Sequence, residues 1–329
     1  MKIKVIALAA VALQVTLVAG CASTDLSSPV SGFDSAAQAA ASSFSAYMDI
    51  EDAWVAQQQV TQLGTPNSTL QIVAQPNTCG KSSSSCRLEV VLPGGQHVPY
   101  GGVDSTKELR ALMTEIVTYG DTLDLIAKAG TDASISEAAD KAKAGTGSLA
   151  SAVDTLAKKL GHASDLAASV ATYGSPAEGT FDFLASLYVN EVRLQALRSA
   201  TARAHVPFSQ GISYLKEAAE AARGLSVAQA HSAYGRACNT LDTPQDRIPE
   251  RLSACVKAAA QLNVALAAKP DTLLDALKKS HDALIADLNK EATDFSAMWA
   301  EVQNMVSEAK KVKDIVDQYK TAAAAPPSH

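Results

Sequence analysis

The sequence has few aromatic residues and no excess of positive charge. Phe, Trp and Tyr make up 5% of its 329 residues, and 28 Lys and Arg stand against 34 Asp and Glu, a net charge of −6. A surface that binds nucleic acid must neutralise phosphates and is therefore rich in Lys and Arg. We accordingly expect no nucleic-acid partner.

The sequence also lacks the short motifs that mark common active sites. It contains no GxSxG, no HExxH and no P-loop, and no GxGxxG lies between a strand and a helix. The histidines are scattered singly, which predicts surface or packed side chains rather than ligands; they are His97, His162, His205, His231, His281 and His329. We therefore predict no metal site, no cofactor and no catalytic residue, although an active site built from distant residues would leave no such motif.

Alanine is abundant, with 62 residues, close to a fifth of the chain. Alanine is the best helix former, and its small side chain lets helices pack closely. The composition therefore predicts an all-α fold, arranged as an elongated helical bundle.

The N-terminus begins with a basic and then an apolar segment. Lys2 and Lys4 precede an almost wholly apolar stretch, Val5–Gly20. This order is typical of a secretory signal peptide, and the stretch is shorter than the ~20 residues that a membrane-spanning helix needs.

The apolar stretch ends in Leu17-Val18-Ala19-Gly20-Cys21, which resembles the lipobox of bacterial lipoproteins. The resemblance implies that residues 1–20 are removed and that Cys21 carries a diacylglycerol and a further acyl chain such as palmitate. Ala22, rather than aspartate, follows the cysteine, which by the same resemblance implies the outer membrane, with the protein facing the periplasm. Residues 21–33 are rich in serine and predict a lipidated tether.

Four further cysteines, an even number, suggest disulfides in an exported chain. Pairing between sequence neighbours gives Cys79–Cys86 and Cys238–Cys255. Metal ligation is the alternative, but there is no CxxC motif and no nearby histidine cluster to favour it.

Capping residues, prolines and glycines divide residues 34–320, the predicted bundle domain, into helices. Capping boxes are predicted at Ser105 with Glu108 and at Ser134 with Glu137. The predicted helices are Asp34–Gln62, one that ends at Gly130, one interrupted at Gly145 and Gly147, Ser148–Tyr173, Ser175–Ala204, Phe208–Arg223 closed by Gly224, one capped by Ser226, and Pro249–Ala268.

The segment from Asp271 to Tyr319 contains no Gly and no Pro, and apolar residues recur in two interleaved heptad series. This pattern predicts one long helix of about 75 Å with a coiled-coil-like seam. The helix is either a spine packed against its own chain or, through residues 270–319, the interface of a homodimer. Residues 321–329 are predicted to be a disordered tail.

Two β-like segments, Leu70–Ala74 and Arg87–Leu92, flank a polar loop that contains Cys79 and Cys86. They predict a small β-hairpin, stapled by a disulfide and inserted at residues 65–103. This hairpin is either a rigid decoration or a preorganised contact surface.

These features favour a membrane-anchored envelope lipoprotein that acts as a non-enzymatic binding or structural module on a partner protein or envelope polymer. Two alternatives remain open at this point. One is an α-helical pore-forming or membrane-active protein, and the other is an envelope hydrolase whose active site is built from distant residues.

Overall fold

A computed structural model describes residues 26–63, 71–74, 88–91, 95, 97–99, 106–164, 166, 188–239, 241, 248–290 and 295–324. The fold is all-α, as predicted. The helices are α1 (Ser27–Leu63), α2 (Lys107–Lys128), α3 (Asp132–Lys159), α4 (Tyr188–Cys238), α5 (Pro249–Ala267), α6 (Pro270–Leu288) and α7 (Ser296–Ala324).

Helices α1, α4 and α7 run in the same direction. At the start of α1, Phe33 lies against Phe208 of α4, with ring centroids 6.5 Å apart. Further along α1, Trp54 lies 5.9 Å from Tyr319 near the end of α7. We call the end of the bundle at the start of α1 the near end, and the end that holds Cys238 the far end.

Helices α2, α5 and α6 run in the opposite direction, whereas α3, whose last residue Lys159 binds Glu108 at the start of α2, runs with α1. Helix α2 is antiparallel to α1, since Arg110 near its start donates to the Ser45 carbonyl at 3.0 Å and Asp124 near its end binds Ser31. Helices α5 and α6 return along α4, because Arg198 donates to the Leu288 carbonyl at 2.6 Å. The chain therefore folds into one bundle of long helices.

The helices form because their apolar residues recur every three or four positions. In α2 this stripe is fully or almost fully buried and comprises Leu109, Leu112, Met113, Ile116, Tyr119, Leu123 and Ile126. Glycine lets helices approach where the stripes meet, since a Cβ on Gly211 of α4 would lie 3.0 Å from Val153 of α3. The core thus follows from helical periodicity and small residues at the crossings.

The predicted single helix from Asp271 to Tyr319 is wrong. The segment forms two helices, α6 and α7, which pack against each other. Asp287, fully buried at the end of α6, binds Lys290 and accepts a 3.0 Å hydrogen bond from the Met298 amide in the first turn of α7. A carboxylate that accepts from an amide in the first turn of the next helix replaces the missing Gly or Pro as the signal for the break.

Most apolar residues of the two heptad series are buried within the same chain. Those at most 9% exposed are Leu277, Leu284, Leu288, Met298, Val302, Met305, Ala309, Val312, Val316 and Tyr319. The seam therefore joins α6 and α7 to the rest of their own bundle.

The predicted breaks at Pro207 and Gly224 are also wrong, because α4 continues through both. Proline removes one backbone hydrogen bond and glycine weakens a helix. Around Pro207, however, Ala204 and Phe208 are fully buried in the core. Tertiary packing holds the helix together despite its local sequence. Correspondingly, Ser226 lies inside α4 rather than at an N-cap.

Helix α3 also departs from its predicted limits. It runs through Gly145 and Gly147 without a break and ends at Lys159 rather than continuing to Tyr173. Gly161 follows with a φ of 82°, and the Gly161 and His162 amides donate to the carbonyls of Lys158 and Ala157. This is the Schellman pattern, which glycine favours because it has no Cβ. The predicted Ser175 helix start lies outside the described residues.

The capping predictions are corrected at one helix. Helix α3 is capped by Thr131, with Ser134 as its reciprocal partner, so Ser134 does not pair with Glu137 as predicted. Helix α2 starts after Thr106, whose hydroxyl donates to Asp52 at 2.9 Å. Ser105 lies outside the described residues.

The ends of the bundle domain extend beyond the prediction. Helix α1 begins at Ser27, so the predicted tether is wrong over residues 27–33, where Val30 and Phe33 are fully buried. Helix α7 reaches Ala324, so the predicted disordered tail is wrong over 321–324. Helix α5 matches its prediction to within one residue.

Three short strands lie between α1 and α2 in the sequence. They are β1 (Gln71–Ala74), β2 (Leu88–Val91) and β3 (His97–Pro99), and they form an antiparallel sheet in the order β1-β2-β3. Residues 75–87, with Cys79 and Cys86, lie outside the described residues. The stapled hairpin therefore stays a prediction.

Candidate functional site

Cys21, the predicted lipid attachment site, and the signal peptide lie outside the described residues. The bundle nevertheless begins close to it in sequence, because Leu26 is already buried, with 1% of its surface exposed. Five residue steps span at most about 18 Å. A lipid on Cys21 would therefore hold the near end of the bundle close to the membrane surface.

A buried aromatic cluster surrounds His281 in the near half of the bundle. The ring stacks on Phe208 of α4 with centroids 4.0 Å apart, and Phe33 of α1 lies 6.0 Å away. The Tyr119 hydroxyl of α2 lies 3.0 Å from Nε2 of His281. Four helices thus converge on one imidazole that is completely buried.

His281 is uncharged in this position. Burial, together with the nearby His205 and Lys278, lowers its pKa to about 3. Burial likewise raises the pKa of Tyr119, so its hydroxyl keeps its proton. The pair is therefore a neutral hydrogen bond, which can remain in an apolar core at little cost.

His205 and Asp282 lie beside His281 at the edge of this cluster. The His205 ring is nearly parallel to His281, with centroids 6.2 Å apart, and its Nδ1 lies 3.8 Å from Oδ1 of Asp282. The sequence contains no spacing that pairs the two histidines, because they belong to different helices. Only the packing of α4 against α6 brings them together.

A shallow groove of about 290 Å³ runs between α1 and α2. Its apolar lining includes Phe44 and Met113, and Arg110 lies at its polar end. Arg110 binds Asp49 at 2.9 Å and Asp52 at 3.0 Å. This arginine therefore ties α2 to α1 rather than offering a free charge to a ligand.

Large exposed apolar side chains lie in the half of the bundle that includes the far end. Seven are between 38% and 68% exposed: Val60, Leu225, Tyr234, Ile248, Leu252, Val256 and Leu266. Leu252 and Val256 are four residues apart and therefore share one face of α5, and Ile248, the N-cap residue, precedes Leu252 by the same spacing. An apolar stripe of this kind is typical of a surface that contacts another molecule.

A disulfide joins the last residue of α4, Cys238, to Cys255 of α5, with Cα atoms 4.8 Å apart. This is the pairing expected from sequence proximity. It fixes the two helices at the far end, next to the exposed stripe of α5. The Cys79–Cys86 pair stays a prediction.

None of the helices in the described ranges is long and apolar enough to cross a membrane. Comparison of the chain with protein-family models, curated proteins and solved structures finds no match in any of the three.

Proposed function

We propose that the protein is a lipid-anchored lipoprotein of the outer membrane, facing the periplasm, whose helical bundle is a non-enzymatic binding module for a partner protein. The observation that carries the proposal is the short distance between the lipobox-type Cys21 and the buried Leu26. With so few residues between lipid and bundle, the anchor positions the folded domain as well as retaining it.

The parallel direction of α1 and α4 supports this arrangement. Both helices lead away from the near end, and the 51 residues of α4 span about 77 Å. A bundle anchored at its near end can therefore present its far end tens of ångströms from the lipid. Among the described residues, seven of the ten exposed large apolar side chains lie in the half of the bundle that includes the far end.

The chemistry of the far end favours a protein partner. Leu252 and Val256 offer aliphatic contacts, whereas recognition of an envelope glycan relies on hydrogen-bonding and aromatic side chains. The disulfide between Cys238 and Cys255 holds this surface in one conformation, which lowers the entropy lost on binding.

Site-specific photo-cross-linking in intact cells tests the proposal. We place a photoreactive amino acid at Val256, and at Val306 of α7 as a matched control that is 40% exposed and lies outside the far end. We expect a discrete cross-linked protein from position 256 only, and its loss when Leu252→Glu is added. Thermal melting checks that each variant is folded.

Other outcomes would contradict the proposal. Equal products at both positions, or none at either, would argue against a far-end binding surface. A product that contains only this chain would favour a homodimer, and a product with glycan would favour an envelope polymer.

A further inference from the structure

Two buried polar atoms without hydrogen-bond partners lie at the edge of the His281 cluster. They are Nδ1 of His281 and Oδ1 of Asp282. An unpaired buried polar atom is unfavourable, so native proteins normally satisfy such atoms with hydrogen-bond partners. Their occurrence on consecutive residues, beside Nδ1 of His205, makes this edge of the cluster a candidate ligand site.

The three side chains offer the ligands of a transition-metal ion. One ligand atom from each of His205, His281 and Asp282 lies within 4.8 Å of the others. Two imidazole nitrogens and one carboxylate oxygen are a common set for zinc and related ions, which leaves a further position for water. We propose that these three residues bind a divalent transition-metal ion of the zinc type.

The surroundings prepare His281 for this role. Its Nε2 is occupied by the Tyr119 hydroxyl at 3.0 Å, so Nδ1 is the nitrogen available to a metal. With the ion on Nδ1, the Nε2–H donates to the Tyr119 oxygen, as a second-shell group that fixes a ligating histidine.

The site is open to solvent on one side. The His205 side chain is 48% exposed and the Asp282 side chain 38% exposed, whereas His281 forms the buried floor. Lys278 occupies Oδ2 of Asp282 at 2.6 Å, which leaves Oδ1 for the ion. A metal can therefore enter past His205 without opening the core.

Binding requires a small adjustment. In a tetrahedral site, metal–ligand bonds of about 2.0–2.2 Å place the ligand atoms ~3.3 Å from one another. The three ligand atoms of His205, His281 and Asp282 are at present up to 4.8 Å apart. The Nδ1 of His205 is already 3.8 Å from Oδ1 of Asp282. Small side-chain movements of His205 and Asp282, which are both partly exposed, would supply the remaining closure of up to about 1.5 Å.

The test is a zinc titration of the purified protein in detergent, without reducing agent, against a chromogenic indicator. We expect one Zn²⁺ per chain, and at least tenfold weaker binding in His205→Ala and in Asp282→Asn. Both side chains are partly exposed, so these variants should fold, as circular dichroism will verify. Tyr119→Phe should weaken binding by a smaller factor, since Tyr119 acts through His281.

The matched control is His162→Ala, because His162 is similarly exposed, at 42%, and pairs with Glu217 at 2.8 Å. We expect this variant to bind zinc like the unmodified protein. If His205→Ala and His162→Ala bind equally well, the three residues are not the site. If the unmodified protein binds no zinc, water alone satisfies the two buried atoms. Either result overturns the proposal, and neither bears on the lipid anchor.

Discussion

At the scale of single residues, Asp34 is a carboxyl group in an unfavourable position. It is 8% exposed at the contact of α1 with α2, and its Oδ1 has no hydrogen-bond partner. Burial and the neighbouring Asp121 raise its pKa to about 6. The Gln38 amide donates to both carboxylates, at 3.0 and 3.1 Å, and only partly offsets their repulsion.

We predict that Asp34→Asn stabilises the protein at pH 7 by about 1–2 kcal/mol, since one pKa unit corresponds to ~1.4 kcal/mol. The raised pKa means that the folded state binds more protons than the unfolded state between about pH 4 and pH 6. The contribution of Asp34 to the free energy of unfolding therefore falls as the pH rises through that window. Urea unfolding from pH 4.5 to 7.5 measures both effects.

The control for this prediction is Asp314→Asn, on the exposed face of α7. We expect it to change the free energy of unfolding by no more than about 0.5 kcal/mol. If Asp34→Asn lowers stability at pH 7, or leaves the dependence between pH 4 and pH 6 unchanged, Asp34 is not the strained group described here.

The pairing of His205 with His281 was beyond sequence analysis for a physical reason. Side chains on one helix are related by fixed spacings, whereas contacts between α4 and α6 depend on how two helices dock. The burial of His281 was compatible with its place in a heptad series. Its Tyr119 partner and its unsatisfied Nδ1 become visible only in three dimensions.

At the scale of helices, α4 shows local sequence being overruled by packing. Gly224 was predicted to end a helix, yet it lies inside α4, exposed, with no atom within 4 Å of where a Cβ would be. Gly211, in the same helix, is tightly enclosed, since a Cβ there would lie 3.0 Å from Val153 and 3.5 Å from Leu112.

We predict that Gly224→Ala raises the free energy of unfolding by about 0.5–1 kcal/mol, because alanine loses less backbone entropy in a helix. Gly211→Ala carries the same entropic benefit but must push Val153 aside. The free energy of unfolding of the Gly211→Ala variant should therefore be lower than that of the Gly224→Ala variant by about 1 kcal/mol or more. Denaturant melts of both variants measure the difference, and equal gains would show that the α3–α4 contact at Gly211 is loose.

Helix content and the limits of α5 were predictable because alanine, caps and apolar periodicity agree there. The division into α6 and α7 was not, because the signal for it is Asp287, which looks like an ordinary polar heptad position. Its role depends on meeting the Met298 amide after the chain has turned. The continuity of α4 past Pro207 depends likewise on buried neighbours, which sequence windows do not contain.

At the scale of the whole molecule, the start of α1 changes the expected relation between membrane and bundle. A flexible tether to residue 33 would let the domain move freely, whereas a helix from Ser27 leaves few residues between lipid and fold. The far end, with its exposed apolar residues and the Cys238–Cys255 disulfide, would then point away from the membrane. This geometry depends on a lipid at Cys21.

Mass spectrometry of the native N-terminus tests this central claim most directly. We predict that the mature chain begins at Cys21 and carries the mass of a diacylglycerol with a further acyl chain, and that Cys21→Ser abolishes both the modification and membrane retention. An unmodified N-terminus that begins at another residue would contradict the lipid-anchored bundle.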